Sequence, residues 1–426
     1  MKKLFKLLLL APCLAQAAAS YDSSSVLRFV PGFGSDGYVV LPIDATVYND
    51  IAIDSAGKIV VVGVNADSGD AFIARYNSNG VLDTSFGTYG VHIEADFSEF
   101  HVVKIDSSGN IVVGGTNADT NVLARYTTAG VLDDSFGTDG IAIASQTSLQ
   151  YVYDFAFDSS GKIVVVGKNN GTGAAIARFD GDGAIDTGFG TAGYIDSTDT
   201  SAVQYTSIAI DESGNIIVAG NTGGTPQGVI AKYANDGTFD SGMGTVSLAG
   251  SYYIYNIKLD SSDKIVVAGD GSTAGYSIIA RFNNDGSIDT SFFNSDGQVS
   301  SNTIAGSYNK LVIDTNGKIV LVGKKDGMDP QGIIARYDSD GWLDTTFNKT
   351  GYINVENGTD SKQFNSIGLD HKGRIVAVGS NDENQGLIVR YLANGTLDAA
   401  GNWNSNSLIE HFESQGLKLS LLSSGR

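Results

Sequence analysis

The chain has 426 residues, 54 of them glycine and 5 proline, with a formal net charge of −20 and a single cysteine. That acidity lacks the basic footprint that phosphate backbones and anionic lipids require, so nucleic acid is not expected as a partner. One cysteine excludes an internal disulfide framework.

Residues 1–20 read as an export signal. Lys2, Lys3 and Lys6 form a basic start, Leu4 to Ala11 an apolar core, and Ala15-Gln16-Ala17 or Ala17-Ala18-Ala19 a small-residue cleavage site. The mature protein is therefore expected to be secreted, periplasmic or held at the cell surface. Cys13 lies inside this signal, and Pro12 stands where a lipoprotein signal wants Gly or Ala, so ordinary cleavage is favoured over lipid attachment. Losing three lysines takes 27 cations to 24 against 47 acids, a mature charge of about −23. No later stretch approaches the roughly 18 apolar residues of a membrane span, so no integral segment is expected after cleavage.

From residue 30 to residue 400 one pattern is written seven times. Its turn aspartates are Asp54, Asp106, Asp158, Asp211, Asp260, Asp314 and Asp370, spaced by 52, 52, 53, 49, 54 and 56 residues. In the first copy Ile51-Ala52-Ile53 predicts a strand, Asp54-Ser55-Ala56-Gly57 a tight turn, and Lys58 to Gly63 a second strand. The second strand is apolar at consecutive positions, which predicts burial on both faces. A variable polar loop leads to a third strand, Phe72 to Tyr76. After the turn at Asn77-Ser78-Asn79-Gly80 comes a fourth at Val91-His92-Ile93.

Four strands per unit of about 50 residues predict an all-β, seven-bladed β-propeller of four-stranded antiparallel blades; a β-solenoid coil takes far fewer residues. Phe-Gly of the outer strand recurs at Phe33-Gly34, Phe86-Gly87, Phe136-Gly137 and Phe189-Gly190, and the first of these precedes any complete repeat. At the other end Gly401 stands where an eighth Phe belongs. The segment Gly32 to Pro42 is thus predicted to supply the outer strand of the last blade and close the ring. Residues 401–426 form a C-terminal tail, expected to dock because Trp403 and Phe412 would otherwise be exposed.

Ile-Ala-Arg-Tyr followed by Asn-x-x-Gly-x-Leu-Asp-Thr-Ser-Phe-Gly-Thr-x-Gly resembles the delta-60 repeat of bacterial exported β-propellers, over about residues 30 to 400. Asp-Ser-Ser-Gly-Asn-Ile is similar, over a shorter stretch, to the NHL type of propeller repeat. The resemblance implies the fold and no common activity. This chain departs from the pattern at Asp263 for the turn Gly, Lys232 for Arg and Met243 for Phe.

Each repeat carries a cation with an aspartate eight residues on: Arg75 and Asp83, Arg125 and Asp133, Arg178 and Asp186, Lys232 and Asp240, Arg281 and Asp289, Arg336 and Asp344, Arg390 and Asp398. Seven copies predict a framework pair spanning the turn between strands three and four. The turn aspartates suit Asx turns, since one carboxylate per turn is too few for calcium.

Function is expected where the copies disagree, on the end that carries the loops after strands two and four. Six residues before the turn aspartates stand Tyr48, Phe100, Val152, Tyr205, Ile254, Tyr308 and Phe364. Asn49, His101, Tyr153, Thr206, Tyr255, Asn309 and Asn365 follow them. Rings beside amides at a channel mouth suit a glycan or a peptide, while aromatics there also serve as packing between blades. An enzyme reading centres on His101 with Asp50 and Asp154 as base or metal ligands. With no HExxH and no recurrent Ser-His-Asp set, no catalytic or metal residue is assigned and no cofactor is expected. The resulting expectation is a monomeric binding module for a protein or glycan. A metal-assisted lyase or lactonase at the channel mouth is the alternative, and an architectural surface protein a third reading.

Overall fold

The computed structural model describes residues 33–399, except 35–36, 41–45, 66, 95–96, 118–119, 144–148, 172, 198–200, 272–275, 302–303, 305, 327–330, 356–360 and 382–384. The expected export signal, Cys13 and the tail from 401 lie outside the described residues.

Each repeat begins with a hairpin made by its turn aspartate. Asp54 Oδ1 accepts the backbone N–H groups of Ala56 (2.9 Å) and Lys58 (2.8 Å), and Gly57 closes the turn at a φ of 79°. The same two bonds recur at Asp106, Asp158, Asp211, Asp260, Asp314 and Asp370. At the fifth turn Asp263 itself takes the left-handed conformation, φ 57°, which Asp tolerates better than most side chains. One carboxylate oxygen of every turn aspartate is thereby committed to the backbone.

Seven four-stranded antiparallel sheets result. Blade 1 runs through the strands Thr46–Ile53, Ile59–Asn65, Asp70–Tyr76 and Val91–Glu94. Blades 2 to 6 repeat this order, with inner strands Glu99–Ile105, Leu149–Phe157, Ala202–Ile210, Ser251–Leu259 and Gly306–Ile313. Blade 7 opens with Ser361–Leu369 and takes its outer strand from the other terminus: Tyr38–Val40 lies antiparallel to Gly386–Tyr391, with Tyr38 opposite Val389 and Val40 opposite Leu387. Arg390 N donates to Gly37 O (3.0 Å), and Phe33 N to Asp398 O (3.0 Å). The predicted closure is therefore present.

The first strand of each blade is longer than its sequence pattern suggests: in blade 1 it starts at Thr46, not Ile51. A β-bulge explains the difference, since pairing with the second strand shifts between Tyr48 and Asp50 and the in-out alternation changes phase there. Every inner strand carries such a shift.

The core sits between blades. Val60, Val62, Ile73 and Phe86 of blade 1 pack on Phe100, Val103, Val113 and Tyr126 of blade 2, and each fully buried aliphatic or aromatic side chain contributes about 1.5–3 kcal/mol. Phe33, Val376, Val378 and Ile388 of blade 7 meet Tyr48, Ile51 and Phe72 of blade 1 across the closing seam.

Six of the seven predicted Arg–Asp pairs form, from Arg75 Nε to Asp83 Oδ2 at 2.8 Å through Arg390 Nε to Asp398 Oδ2 at 2.7 Å. The guanidinium does two further things. It lies over a phenylalanine ring eleven residues on, Arg75 over Phe86 at 4.5 Å and Arg178 over Phe189 at 4.5 Å; in blade 7 Arg390 covers Phe33 at 4.3 Å. It also donates to a turn carbonyl of the next blade, as Arg125 does to Gly181 (2.7 Å). Blade 4 corrects the expectation. Lys232 bonds Asp211 (3.2 Å) and Asn284, not Asp240, because a single ammonium cannot reproduce the guanidinium fork, and Met243 replaces the ring that the fork would cover.

Lys58, Lys162, Lys264 and Lys318 add a second cation to Asp83, Asp186, Asp289 and Asp344 at 2.6–2.7 Å. Burial alone would raise the Asp83 carboxyl, but the hydrogen bonds from Lys58 and Ser85 and the charge of Arg75 outweigh it and hold it well below the usual carboxylate range.

Candidate functional site

The bulge decides which side chains of the inner strand reach the axis. Tyr48, Phe100, Val152, Tyr205, Ile254, Tyr308 and Phe364 are all buried, between 0 and 2 % exposed. Tyr48, Tyr205 and Tyr308 turn their hydroxyls to Tyr76 (2.7 Å), Tyr233 (2.9 Å) and Tyr337 (3.2 Å) on the third strand of their own blade. These rings pack between blades and present no face to a ligand.

The residues that follow them stitch neighbouring inner strands together. Asn49 donates to Phe100 O (2.9 Å), Thr206 to Ile254 O (2.6 Å), Asn309 to Phe364 O (2.9 Å) and Asn365 to Tyr48 O (2.8 Å). Four of these seven positions are thus partnered to backbone. His101 instead reaches Thr116 Oγ1 (3.3 Å) and stands 3.8 Å from Glu99. Burial lowers its pKa, and Glu99 opposes that shift.

Asp50 and Asp154 do not converge on His101, contrary to the enzyme reading, because each is already held in the axial channel. Asp50 accepts Val103 N (3.0 Å) and Ser366 Oγ (2.5 Å) and lies 3.5 Å from Lys310 Nζ. Asp154 accepts Phe155 N (2.9 Å) and Ser207 Oγ (2.8 Å), with Lys104 Nζ at 2.9 Å. Asn256 continues the belt, donating to Ser207 Oγ (2.9 Å) and accepting Leu311 N (3.1 Å). Asp50, Lys104, Asp154, Lys258, Lys310 and Ser366 line an axial cavity of about 250 Å³ to which blades 1, 2, 3, 5, 6 and 7 contribute. Burial would raise the Asp154 carboxyl, but Lys104, Lys310 and Lys258 outweigh it and keep it ionised. Among the described residues no group of three or more His, Cys, Asp or Glu side chains is arranged to hold a metal.

On the variable-loop end, among the described residues, two Tyr-x-Tyr pairs present partly exposed rings. Tyr151 and Tyr153 of blade 3 stack with centroids 6.1 Å apart and planes 7° from parallel; Tyr253 and Tyr255 of blade 5 do the same at 6.0 Å and 12°. Tyr151 is 38 % exposed. Tyr255 donates its hydroxyl to Asp270 (2.8 Å). Tyr151 pairs with Lys168, one residue before the start of a polar cleft of about 670 Å³ between blades 3 and 4. Asn170, Gly171, Asp196, Ser201, Val203 and Gly223 are among the walls of this cleft.

Of the residues chosen from sequence, Tyr153 and Tyr255 stand on this surface; Tyr151, Tyr253 and the three channel lysines were missed. The tyrosines carried a legible signal, a Tyr-x-Tyr spacing in only two of the seven copies. The lysines carried one too, since Lys104 and Lys258 replace the Ala, Val or Gly found two residues before the other turn aspartates, and Lys310 stands where Asp50 and Asp154 stand.

A family model described as a domain of unknown function (DUF5122) beta-propeller matches residues 57–86, 96–136, 159–189, 212–242, 261–292, 315–347 and 373–400. No curated protein sequence matches the chain. Among solved structures, virginiamycin B lyase from Staphylococcus aureus aligns with a TM-score of 0.54 at 12 % identity, over 83 % of this chain and 98 % of its own. YCF48 from Cyanidioschyzon merolae gives 0.52 at 11 % identity, covering 84 % and 98 %. The WD40 β-propeller domain of Doa1 gives 0.50 at 14 %, covering 84 % and 96 %. At these identities the similarity shows the fold alone.

Proposed function

We propose that this chain, which belongs to the DUF5122 β-propeller family, is an extracytoplasmic binding module that takes a neutral glycan on its variable-loop end, at the seam of blades 3 and 4. One observation carries the reading: a stacked tyrosine pair, exposed Tyr151 and half-buried Tyr153, beside a roomy cleft walled by amide, hydroxyl, carboxylate and backbone groups. A sugar ring presents an apolar face and a rim of hydroxyls, so it asks for an aromatic platform flanked by hydrogen-bonding groups. Asn49, Thr206, Asn309 and Asn365, bonded to the backbone of neighbouring inner strands, supply rigidity. Copies that differ in these loops and in the Tyr-x-Tyr positions keep one framework while changing the surface offered to a ligand. The repeat motifs around Ile-Ala-Arg-Tyr are read as delta-60 repeats, and residues 1–20, read as an export signal, support a location outside the cytoplasm.

The test is a neutral glycan array followed by saturation-transfer NMR on the retained oligosaccharides. Tyr151→Ala and Tyr153→Ala are each expected to weaken binding at least about tenfold, or about 1.4 kcal/mol, with the melting temperature of Tyr151→Ala unchanged. Retention of no glycan by the wild type, or equal retention by both variants, refutes the assignment.

A further inference from the structure

The axial cavity has a charge imbalance that the framework does not use. Three ammonium groups enter it, Lys104 from blade 2, Lys258 from blade 5 and Lys310 from blade 6, against two carboxylates, Asp50 from blade 1 and Asp154 from blade 3. Lys104 is matched by Asp154 (2.9 Å) and Lys310 by Asp50 (3.5 Å). Lys258 has no direct ion pair or side-chain hydrogen bond among the described residues and feels the other charges only at longer range. In a chain of net charge −20 this is a locally cationic chamber, with one positive charge left over. Its remaining lining is mostly apolar, including Ile51, Val103, Leu311 and Ile367, and this strengthens every interaction made inside it.

We infer that the axial cavity binds a small carboxylate monoanion, with Lys258 as its principal partner and Lys104 and Lys310 completing the positive field. A guest with one negative charge neutralises the chamber, whereas a dianion overfills it and meets Asp50 and Asp154 as repelling neighbours. The volume of about 250 Å³ admits an acetate-sized group or the carboxylate end of a larger ligand. Burial, reinforced by Lys104 and Lys310, pushes Lys258 down to about 8, so its ammonium is the one in the cavity most readily lost as pH rises. The titratable groups facing it are Lys104, Lys310, Asp50 and Asp154, and blade 7 contributes the hydroxyl of Ser366.

Calorimetric titration of the mature protein with sodium acetate at pH 7, against sodium chloride at equal ionic strength, tests this. One saturable acetate site is expected in the wild type, retained in Lys258→Arg and weakened at least about tenfold in Lys258→Met. Wild-type affinity should fall about tenfold between pH 8.5 and 9.5 as the ammonium is lost. A parallel titration with glucuronate separates sources: uptake of both acids marks the end of a larger acidic ligand, uptake of acetate alone confines the site to free small acids, and either keeps the carboxylate assignment. Acetate binding that is absent, equal in Lys258→Met, or flat across pH 7 to 9.5 overturns it, as does inorganic phosphate binding more tightly than acetate at pH 8. Should Lys258→Met fail to fold, the wild-type pH series decides by itself.

Discussion

Replacing Phe33 by alanine tests ring closure directly, because the residue is local in space to blade 7 and remote from it in sequence. The ring is fully buried, packs in the cluster that joins blades 7 and 1, and sits 4.3 Å beneath the Arg390 guanidinium. A buried Phe→Ala change costs about 3–5 kcal/mol, of which the transfer of the ring is the larger part and the cavity the remainder. Losing the cation–ring contact adds about 1 kcal/mol. Burial already depresses Arg390, so an Arg390 that has lost the ring beneath it sits less comfortably still. The expected loss is therefore about 5 kcal/mol. Phe86 occupies the same position in blade 1, under Arg75 at 4.5 Å, and Phe86→Ala provides the internal standard. Urea unfolding followed by tyrosine fluorescence and far-UV circular dichroism, with hydrogen exchange in Gly386–Tyr391, reads both variants. The two losses should agree within about 1 kcal/mol, with protection falling first in Gly386–Tyr391 for Phe33→Ala. A loss below about 1 kcal/mol for Phe33→Ala, beside one above about 3 for Phe86→Ala, would refute the outer-strand role of the N-terminal segment.

Two further outcomes follow from the charges. Arg178→Ala should lower stability by about 1.5–3 kcal/mol, since Asp186 keeps Lys162 but loses its guanidinium, and the donor to Asn235 of blade 4 goes with it; a loss within about 0.5 kcal/mol in urea unfolding would contradict the framework role. The Lys258 ammonium falls from 10.5 to about 8 on folding, so the folded state disfavours its charge. That penalty is fully present below pH 8 and is relieved as pH rises from 8 to 10.5, where the unfolded chain holds the proton and the folded one does not. Lys258→Met should thus be more stable than wild type at pH 7 by up to about 3 kcal/mol, less where channel water screens the charge, with the difference shrinking toward pH 10.5. A difference that grows with pH would sink the reasoning.

Much of the architecture was legible because repetition multiplies weak signals. A single Asp-Ser-Ala-Gly is an ordinary turn, while seven in register at about 50 residues make a propeller, and the stray Phe33-Gly34 completes the count. The covering of Phe by Arg was legible too, in the eleven-residue spacing from Arg75 to Phe86 and its joint loss at Lys232 and Met243. The candidate site was harder. Alternation extended back from Asp54 assigns Tyr48 and Asp50 to one side of the strand. The bulge between them breaks that rule, sending Tyr48 into the seam and Asp50 to the axis.

Local chemistry therefore settled which segments become strands and turns, how many blades there are and which terminus lends the last strand, since all of these depend on neighbours in the chain or on a count. The tertiary structure alone decided that Lys104, Lys258 and Lys310, far apart along the chain, share one chamber with Asp50 and Asp154. It decided as well that Tyr151 and Tyr153, not Tyr48 or Tyr205, offer a face to solvent. The physical reason is that a channel is built from one strand of each blade, so its charge balance is a sum over the ring that no single repeat contains.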